Sequence, residues 1–271
     1  MYSMRGTRIG VIGAGAIGGA VIDRLVSGAD ARAQDITACD TKDARREEIA
    51  RRFGVGTTAN AVDAAAAELV ILAVPPLEMT RVLAAIRDRV GHNPVIVSFA
   101  AAVPVALIES SFPPGTPVVR INPNSPSLVG AGFNPVTYGR SATGSARSLA
   151  DRFLGALGAS VEVDDGAMNL YTALTAVGPT YFLPVLDAMI AAGVAGGLSR
   201  EEAVAAATAT ARGTAEMAAR RAEEPEQLKL YTGLRPLKDA DVRELVAQAI
   251  AEAGARMTAL QQKIADAPRA Q

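Results

Sequence analysis

Short apolar runs alternate with helix-like patterns through roughly the first 160 residues of the chain. Five of these runs predict buried strands, at Arg8–Ile12, Ile36–Cys39, Glu68–Val74, Pro94–Phe99 and Val118–Ile121. Helices are predicted between them at Ala16–Leu25, Ala44–Phe53 and Leu77–Val90. Continuous apolar strands separated by helices are typical of a parallel sheet that is covered on both faces.

The rest of the chain shows helical spacing without a strand pattern. A helix is predicted over Met168–Ala191, interrupted at Gly178–Pro179 because proline lacks an amide donor. Ser199 and Glu202 match a capping box and predict the start of a long alanine-rich helix. We therefore predict an α/β fold with two domains. Residues 1–164 form an N-terminal Rossmann-type, doubly wound parallel sheet, and residues 165–271 form an all-helical domain.

The charge balance and the scarce residue types exclude several classes of function. The chain has 27 basic and 28 acidic residues, so it lacks the basic excess of a nucleic-acid-binding protein. Its single cysteine, Cys39, excludes an intrachain disulfide and a cysteine-based structural metal site. Its single histidine, His92, is predicted to lie in a surface loop. We expect no metal site and no histidine base.

No run of the sequence reaches the ~18 consecutive apolar residues that a membrane-spanning helix needs. The segment Ile9–Leu25 is apolar, but glycines and Asp23 interrupt it and no cleavage pattern of a signal peptide follows. We expect a cytoplasmic protein that does not bind membranes.

A glycine-rich loop lies between the first predicted strand and the first predicted helix. Gly13, Gly15 and Gly18 have the GxGxxG spacing of dinucleotide-binding loops. The first glycine allows the tight turn, the second lets the backbone approach a pyrophosphate, and the third allows the helix to pack closely on the strand. The amides at the helix N-terminus would bind the phosphates. The order of strand, loop and helix favours a dinucleotide site over an ordinary turn.

An acidic residue follows the second predicted strand at the usual distance from the loop. Asp40 lies about 20 residues beyond Gly18, where a carboxylate binds the adenine-ribose hydroxyls and repels a 2′-phosphate. Lys42, Arg45 and Arg46 could instead bind that phosphate, or they could form a solvated helix face. The cofactor is predicted to be NAD(P)H, with NADH favoured and NADPH left open.

Three further segments are predicted to lie along the cofactor. The turn Ala73–Pro75 follows an apolar strand, and ligands of open parallel sheets lie beyond the carboxyl ends of strands. Asn60 and Asn124 lie in predicted connections and could contact ribose or nicotinamide, although asparagine in such positions can simply form a turn.

Several longer segments together resemble the pyrroline-5-carboxylate reductase family. They include GAGAIGGA, ILAVPP, VSFAAAVPVALIE, VVRINPNSPSLVGAG and TALTAVGPTYF, and the resemblance covers nearly the whole chain. It implies a dinucleotide domain and a helical domain that dimerises by interleaving helices, often in larger rings. It further implies NAD(P)H-dependent reduction of the C=N bond of a cyclic imino acid, which forms proline.

The resemblance also implies roles for particular residues. The family's dinucleotide loop corresponds to Gly13, Gly15, Ala16, Ile17 and Gly18. Its further cofactor contacts correspond to Asn60, Ala73, Val74, Pro75 and Asn124. One wall of its substrate pocket corresponds to Thr175, Ala176, Val177, Gly178 and Pro179.

Two parts of the implied substrate pocket depart from the family pattern. The family's S-P-G-G-T-T loop, which holds the substrate carboxylate, is replaced here by Lys229–Lys238. In the other wall, Val177 stands in place of a serine. Arg235 and Lys238 could bind an anionic substrate group in place of the lost amides, or they could simply be solvated.

The predicted proton donors are the hydroxyls nearest to the matched pocket. Thr175 and Tyr181 could donate to the imine nitrogen or to a carboxylate. Alternatively, Thr175 bonds to its own helix carbonyl and Tyr181 packs in a dimer core. The four lysines lie at positions 42, 229, 238 and 263, so the mid-domain lysine of β-hydroxyacid dehydrogenases has no counterpart.

Three functional hypotheses follow from these patterns. The first is an NAD(P)H-dependent imine reductase that acts on pyrroline-5-carboxylate as a homodimer or a ring of dimers. The second is a related reductase of another imine or of a keto acid. The third is a non-catalytic protein that binds a dinucleotide.

Overall fold

The computed structural model describes residues 3–88, 90, 94–221, 223–234 and 236–266. The chain forms two compact units, of which the first comprises Met1–Val177 and Glu252–Gln271 and the second comprises Gly178–Ala251. The compact units therefore divide later in the chain than residue 164. The division into functional domains at 164 and 165 stays a prediction.

The first unit contains an eight-stranded sheet in the order β3-β2-β1-β4-β5-β6-β7-β8. Its strands are β1 Ile9–Ile12, β2 Ile36–Cys39, β3 Gly56–Thr58, β4 Leu69–Leu72, β5 Val95–Ser98, β6 Val118–Ile121, β7 Gly132–Tyr138 and β8 Gly158–Glu162. Every neighbouring pair is parallel except β6 and β7. The first six strands have the usual order of a doubly wound dinucleotide-binding fold, so the predicted fold class is confirmed.

Seven α-helices belong to the described part of the chain that precedes the second unit. They are α1 Ala16–Ser27, α2 Asp43–Phe53, α3 Ala61–Ala65, α4 Met79–Ile86, α5 Val105–Glu109, α6 Gly144–Leu157 and α7 Met168–Tyr171. The sequence pattern predicted α1, α2, α4 and the start of α7 at Met168. It did not predict α6, although Phe153, Leu154 and Leu157 form a buried stripe at helical spacing.

The core of the first unit lies on both faces of the sheet. Because side chains of a strand alternate between faces, Leu69 and Ile71 of β4 join one apolar cluster while Val70 and Leu72 join the other. All four side chains are fully buried. This double coverage explains why the strands read as continuous apolar runs.

The second unit is helical. Its helices are α8 Pro179–Ala195, α9 Arg200–Arg220, α10 Pro225–Leu228 and the first part of α11 Asp239–Ala265, which ends in the first unit. The predicted capping box is present, since Ser199 Oγ accepts from the Glu202 amide at 3.2 Å and the Glu202 carboxylate accepts from the Ser199 amide at 2.8 Å. The predicted interruption is also present, because α8 begins at Pro179.

Large apolar side chains are exposed along α8. The exposed fractions are 69% for Phe182, 58% for Leu183 and 54% for Val185. The helical stretch Asp165–Ala195 is long and apolar enough to cross a membrane by length and composition alone, with a mean hydropathy of 1.4 over its most apolar window. Polar residues interrupt this stretch, so it contains no run of ~18 consecutive apolar residues that would have predicted it from the sequence.

Candidate cofactor and substrate site

The glycine loop has the geometry that its spacing predicts. Gly13 has φ +97°, and a Cβ atom there would lie 2.7 Å from the carbonyl oxygen of Ala73. A Cβ atom on Gly18 would lie 1.9 Å from the carbonyl oxygen of Gly13. A Cβ atom on Gly15 would meet nothing within 4 Å. Gly13 and Gly18 are therefore required by packing, whereas Gly15 faces open space in which a ligand could lie.

The loop lies at the point where the strand order reverses. β1 is paired with β2 on one side and β4 on the other, and the loop follows the carboxyl end of β1. The Gly13 amide donates to the Cys39 carbonyl at 2.8 Å, and the Ala73 amide donates to the Ile12 carbonyl at 2.8 Å. The ends of three strands thus meet around the loop, which is where open α/β sheets bind ligands.

The other predicted cofactor-binding residues next to the glycine loop are partly or fully exposed. Ala16 and Ile17 begin α1 and are exposed, Ile17 by 53%. The first amides of a helix lack partners within the helix, so this turn offers donors for a phosphate. Val74 is half-buried against the loop and Pro75 is exposed.

Asp40 is bound to the loop itself. Its Oδ2 accepts from the Ala14 amide at 3.1 Å, and its Oδ1 accepts from the Lys42 amide at 3.0 Å. A carboxylate offers about four acceptor positions, so both oxygens keep capacity for ribose hydroxyls. The sequence did not predict that Asp40 also fixes the conformation of the loop.

Two of the three basic residues after Asp40, Arg45 and Arg46, are engaged in local pairs. Arg46 donates to the Asp40 carbonyl at 2.8 Å and also pairs with Asp43. Arg45 pairs with Glu48 at 3.1 Å. These contacts favour the solvated helix face over a ready-made site for a 2′-phosphate.

Both predicted asparagines stabilise local structure. Asn60 caps α3, and its Oδ1 accepts from the Val62 amide at 3.1 Å. Asn124 Oδ1 accepts from the Phe133 amide at 3.1 Å. Asn60 therefore serves as a local cap, whereas Asn124 bonds to the start of β7, and the contacts of both residues with a cofactor stay a prediction.

The predicted pocket wall contains a π-helical turn at Thr172–Ala176, in which the Val177 amide donates to the Thr172 carbonyl at 3.1 Å. Such turns are frequent at functional sites. The Thr175 hydroxyl donates to the Tyr171 carbonyl at 2.8 Å. This is the bond to its own helix that the sequence analysis gave as the alternative to a role as proton donor. Thr175 can still accept a hydrogen bond.

The rest of the predicted wall belongs to the second unit, which begins at Gly178. Gly178 is buried, and Pro179 is the first residue of α8. Burial raises the pKa of Tyr181 above its ordinary value of 10.0. The catalytic roles of Tyr181 and Thr175 stay predictions.

Lys229, the first residue of the segment that replaces the loop implied by the resemblance, takes part in a network of ion pairs. Lys229 Nζ lies 2.6 Å from Asp239 Oδ2 and 2.9 Å from Glu226 Oε2, and the hydrogen bonds that it donates to Asp239 and Glu226 raise the pKa of Lys229. Arg243 also pairs with Glu226. The charge of Lys229 is therefore compensated. Arg235 and His92 lie outside the described residues.

The sequence analysis missed two polar residues, Asn122 and Thr172, that are buried together between β6 and the pocket wall. Polar residues at every second position from Arg120 to Asn124, at the end of an apolar strand and just beyond it, would have indicated Asn122. Among the described residues, no group of three or more histidine, cysteine, aspartate or glutamate side chains is placed to hold a metal ion.

Two family models match the chain. One is described as NADP oxidoreductase, coenzyme F420-dependent, and covers residues 8–102. The other is described as pyrroline-5-carboxylate reductase dimerisation and covers residues 165–260.

Solved structures of similar fold carry related names. A Plasmodium falciparum pyrroline carboxylate reductase with NADP bound superposes with a TM-score of 0.83 at 20% identity, covering 96% of this chain and all of that one. A pyrroline-5-carboxylate reductase from Coxiella burnetii gives a TM-score of 0.76 at 24% identity, covering 94% and 98%. These likenesses show the fold.

Curated relatives show the family. The pyrroline-5-carboxylate reductase of Corynebacterium melassecola is 35% identical over 227 residues, which cover 82% of this chain and 84% of the relative. That of Methanosarcina acetivorans is 28% identical over 270 residues, which cover 96% and 100%. The chain belongs to the pyrroline-5-carboxylate reductase family.

Proposed function

We propose that this protein reduces the C=N bond of pyrroline-5-carboxylate with NAD(P)H and thereby forms proline. One observation carries the proposal: the glycine loop packs against the turn after β4 at the point where the strand order reverses. The chain with this arrangement belongs to the pyrroline-5-carboxylate reductase family. The open space at Gly15 and the exposed first turn of α1 fit a dinucleotide pyrophosphate.

The protein's own residues would bind and orient the two reactants. Gly13, Gly15, Ala16, Ile17 and Gly18 would hold the pyrophosphate, and Ala73–Pro75 would lie along the cofactor. Asn60 and Asn124 would face the ribose and the nicotinamide side. A nicotinamide held there would supply the hydride for the imine carbon, and the imine nitrogen would carry one proton in the product. A cyclic imine is basic enough to arrive partly protonated, so the protein needs no strong acid.

We propose NADH as the preferred form of the cofactor. The Asp40 carboxylate at the end of β2 supports this preference because it would repel a 2′-phosphate. The engagement of Arg45 and Arg46 with neighbouring carboxylates supports it further.

The parts of the predicted pocket that depart from the family pattern bear on the identity of the substrate. Val177, Gly178 and Pro179 would line one side, with Thr175 and Tyr181 as the nearest hydroxyls and Arg235 as a candidate for binding the carboxylate. Because the ion-paired Lys229 and its neighbours replace the family's carboxylate loop, another imine is the second candidate substrate.

A homodimer, or a ring of such dimers, is the proposed assembly. The exposed apolar side chains of α8 support it, since contiguous exposed apolar surface marks interaction sites. They lie within the residues that the dimerisation family model matches. The same match favours subunit contact over membrane insertion for this stretch, and the cytoplasm remains the proposed compartment.

The experiment is to follow the oxidation of NADH and of NADPH with pyrroline-5-carboxylate, then with other cyclic imines and with 2-keto acids. Turnover fastest on pyrroline-5-carboxylate would support the proposal. Faster turnover on another imine would favour the second candidate substrate. Tight cofactor binding without turnover on any compound would contradict catalysis and favour a protein that only binds the dinucleotide.

A further inference from the structure

Polar side chains stand at every second position through the end of β6 and just beyond it. Arg120 is 2% exposed and Asn122 is 8% exposed, whereas the strand residues around them are apolar. The main chain of Asn122 continues the pairing with the next strand, because its amide donates to the Pro135 carbonyl at 3.2 Å. The side-chain amide of Asn122 takes no part in this pairing and bonds to a different part of the chain.

The side chain of Asn122 is bonded to the predicted pocket wall. Its Nδ2 donates to Thr172 Oγ1, and the Thr172 hydroxyl donates to the Met168 carbonyl at 2.8 Å. Thr172 is 4% exposed. Buried amides and hydroxyls are costly unless they are bonded, so the Asn122 side-chain amide depends on the Thr172 hydroxyl as its acceptor.

A second contact holds the beginning of the same segment. Arg120 Nη1 lies 2.7 Å from Asp165 Oδ1, and the other carboxylate oxygen of Asp165 accepts from the Val105 amide at 2.9 Å. The chain from Asp165 to Thr172 is thus fixed to β6 at two points.

Thr172 is the first residue of the π-helical turn that leads to Thr175 and Val177. Asn124, the residue proposed to face the nicotinamide side, follows Asn122 by two positions. One short piece of backbone therefore carries the proposed nicotinamide contact and the anchor of the proposed substrate wall.

We propose that Asn122 is a positioning residue, which acts through Thr172 to fix the substrate wall relative to the nicotinamide. This inference rests on the proposed function. Hydride transfer depends steeply on the distance between donor and acceptor, and a shift of about 1 Å can cost on the order of 100-fold in rate. Loss of the contact should therefore lower kcat more than it raises KM, and it should leave NADH binding unchanged.

The test compares Asn122→Leu, Thr172→Val and the double variant, with Thr172→Ser as the control that keeps the hydroxyl. Thr172→Val leaves the buried Asn122 amide without its partner, whereas in Asn122→Leu the Thr172 hydroxyl keeps its bond to the Met168 carbonyl. The double variant removes both side-chain polar groups, so we expect it to recover most of the Tm that Thr172→Val loses. We expect kcat to fall about 10-fold or more in both single variants and to stay low in the double variant. Thr172→Ser should retain most of the wild-type kcat, and the Kd of NADH should stay within about twofold in all four.

Recovery of kcat together with Tm in the double variant would overturn the inference, because Asn122 would then serve stability alone. Hydrogen exchange of the amides at 172–177 gives a readout that needs no turnover. We expect faster exchange there in both single variants and in the double variant, and unchanged exchange would also overturn the inference. If the wild type reduces no imine, the proposed function fails, while the exchange measurement still decides whether Asn122 holds the wall.

Discussion

The carboxylate of Asp40 accepts a hydrogen bond from the backbone amide of Ala14 at 3.1 Å and so ties the end of β2 to the glycine loop. Its other oxygen accepts from the Lys42 amide at the start of α2. The residue proposed to select the cofactor therefore also shapes the loop that would bind the pyrophosphate. Any change at Asp40 acts on both.

Replacing Asp40 by asparagine removes the charge but keeps one side-chain oxygen as an acceptor. We expect the Kd of NADH to rise about 10-fold, since hydrogen bonds to a charged group contribute about 1.5–3 kcal/mol. The Kd of NADPH should rise less or fall, because the repulsion of its 2′-phosphate is lost. Fluorescence titration measures both values, with Glu47→Gln at an exposed position of α2 as the control. An unchanged ratio of the two constants would contradict the proposed preference.

The two glycines Gly15 and Gly18 should respond oppositely to alanine. Gly15 has φ −70° and open space around it, so Gly15→Ala should leave the Tm unchanged and weaken cofactor binding about 10-fold or more. Gly18→Ala places a Cβ atom against the Gly13 carbonyl and should lower the Tm by several degrees. Thermal unfolding without ligand and titration with NADH separate the two effects. A fall in Tm for Gly15→Ala would show that the site is packed rather than open.

The capping box at the start of α9 should make part of the stability depend on pH. Hydrogen bonds from the Ser199 hydroxyl and amide lower the pKa of Glu202 below its ordinary value of 4.5. A group whose pKa is lowered in the folded state contributes stability above its unfolded pKa and loses it as the pH falls through the folded value. The difference in Tm between wild type and Ser199→Ala should therefore be largest at neutral pH and shrink below about pH 4.

The uncharged variant Glu202→Gln is the matched control for that experiment. Its difference from the wild type should also shrink in acid, whereas Ser199→Ala in the Glu202→Gln background should show no pH dependence of its own. If the difference in Tm between wild type and Ser199→Ala stayed constant across the acid range, the ionised form of Glu202 would contribute nothing to the stability of the folded protein.

The exposed face of α8 should hold subunits together. Introducing a charge by Phe182→Asp should shift the protein toward monomers, because burying an unpaired carboxylate in an apolar interface is costly. Sedimentation or light scattering over a range of concentrations measures the change. Gln34→Asp on the surface of the first unit is the control. A wild-type protein that is already monomeric would contradict the proposed assembly.

The sequence predicted the features that short stretches of the chain determine. The glycine spacing, the apolar strands and the capping box at Ser199 each depend on residues close in sequence, and the fold confirmed them. The short exposed strand Gly56–Thr58 escaped prediction because it has no apolar run.

Contacts between distant residues could not be predicted in the same way. The bond from Asp40 to Ala14 and that from Asn122 to Thr172 join positions 26 and 50 residues apart. Asn60 and Thr175 were singled out by type and position, but their local helix contacts become visible only once the backbone is known.

Transfer of deuterium tests imine reduction most directly. The protein would be supplied with NADH that carries deuterium at the transferable position of C4, together with pyrroline-5-carboxylate, and the proline formed would be analysed by mass spectrometry and NMR. We predict one deuterium at the former imine carbon, no transfer in a reaction without enzyme, and reduced transfer in Gly15→Ala. Proline without deuterium, or no proline while NADH remains bound, would contradict hydride transfer at this site.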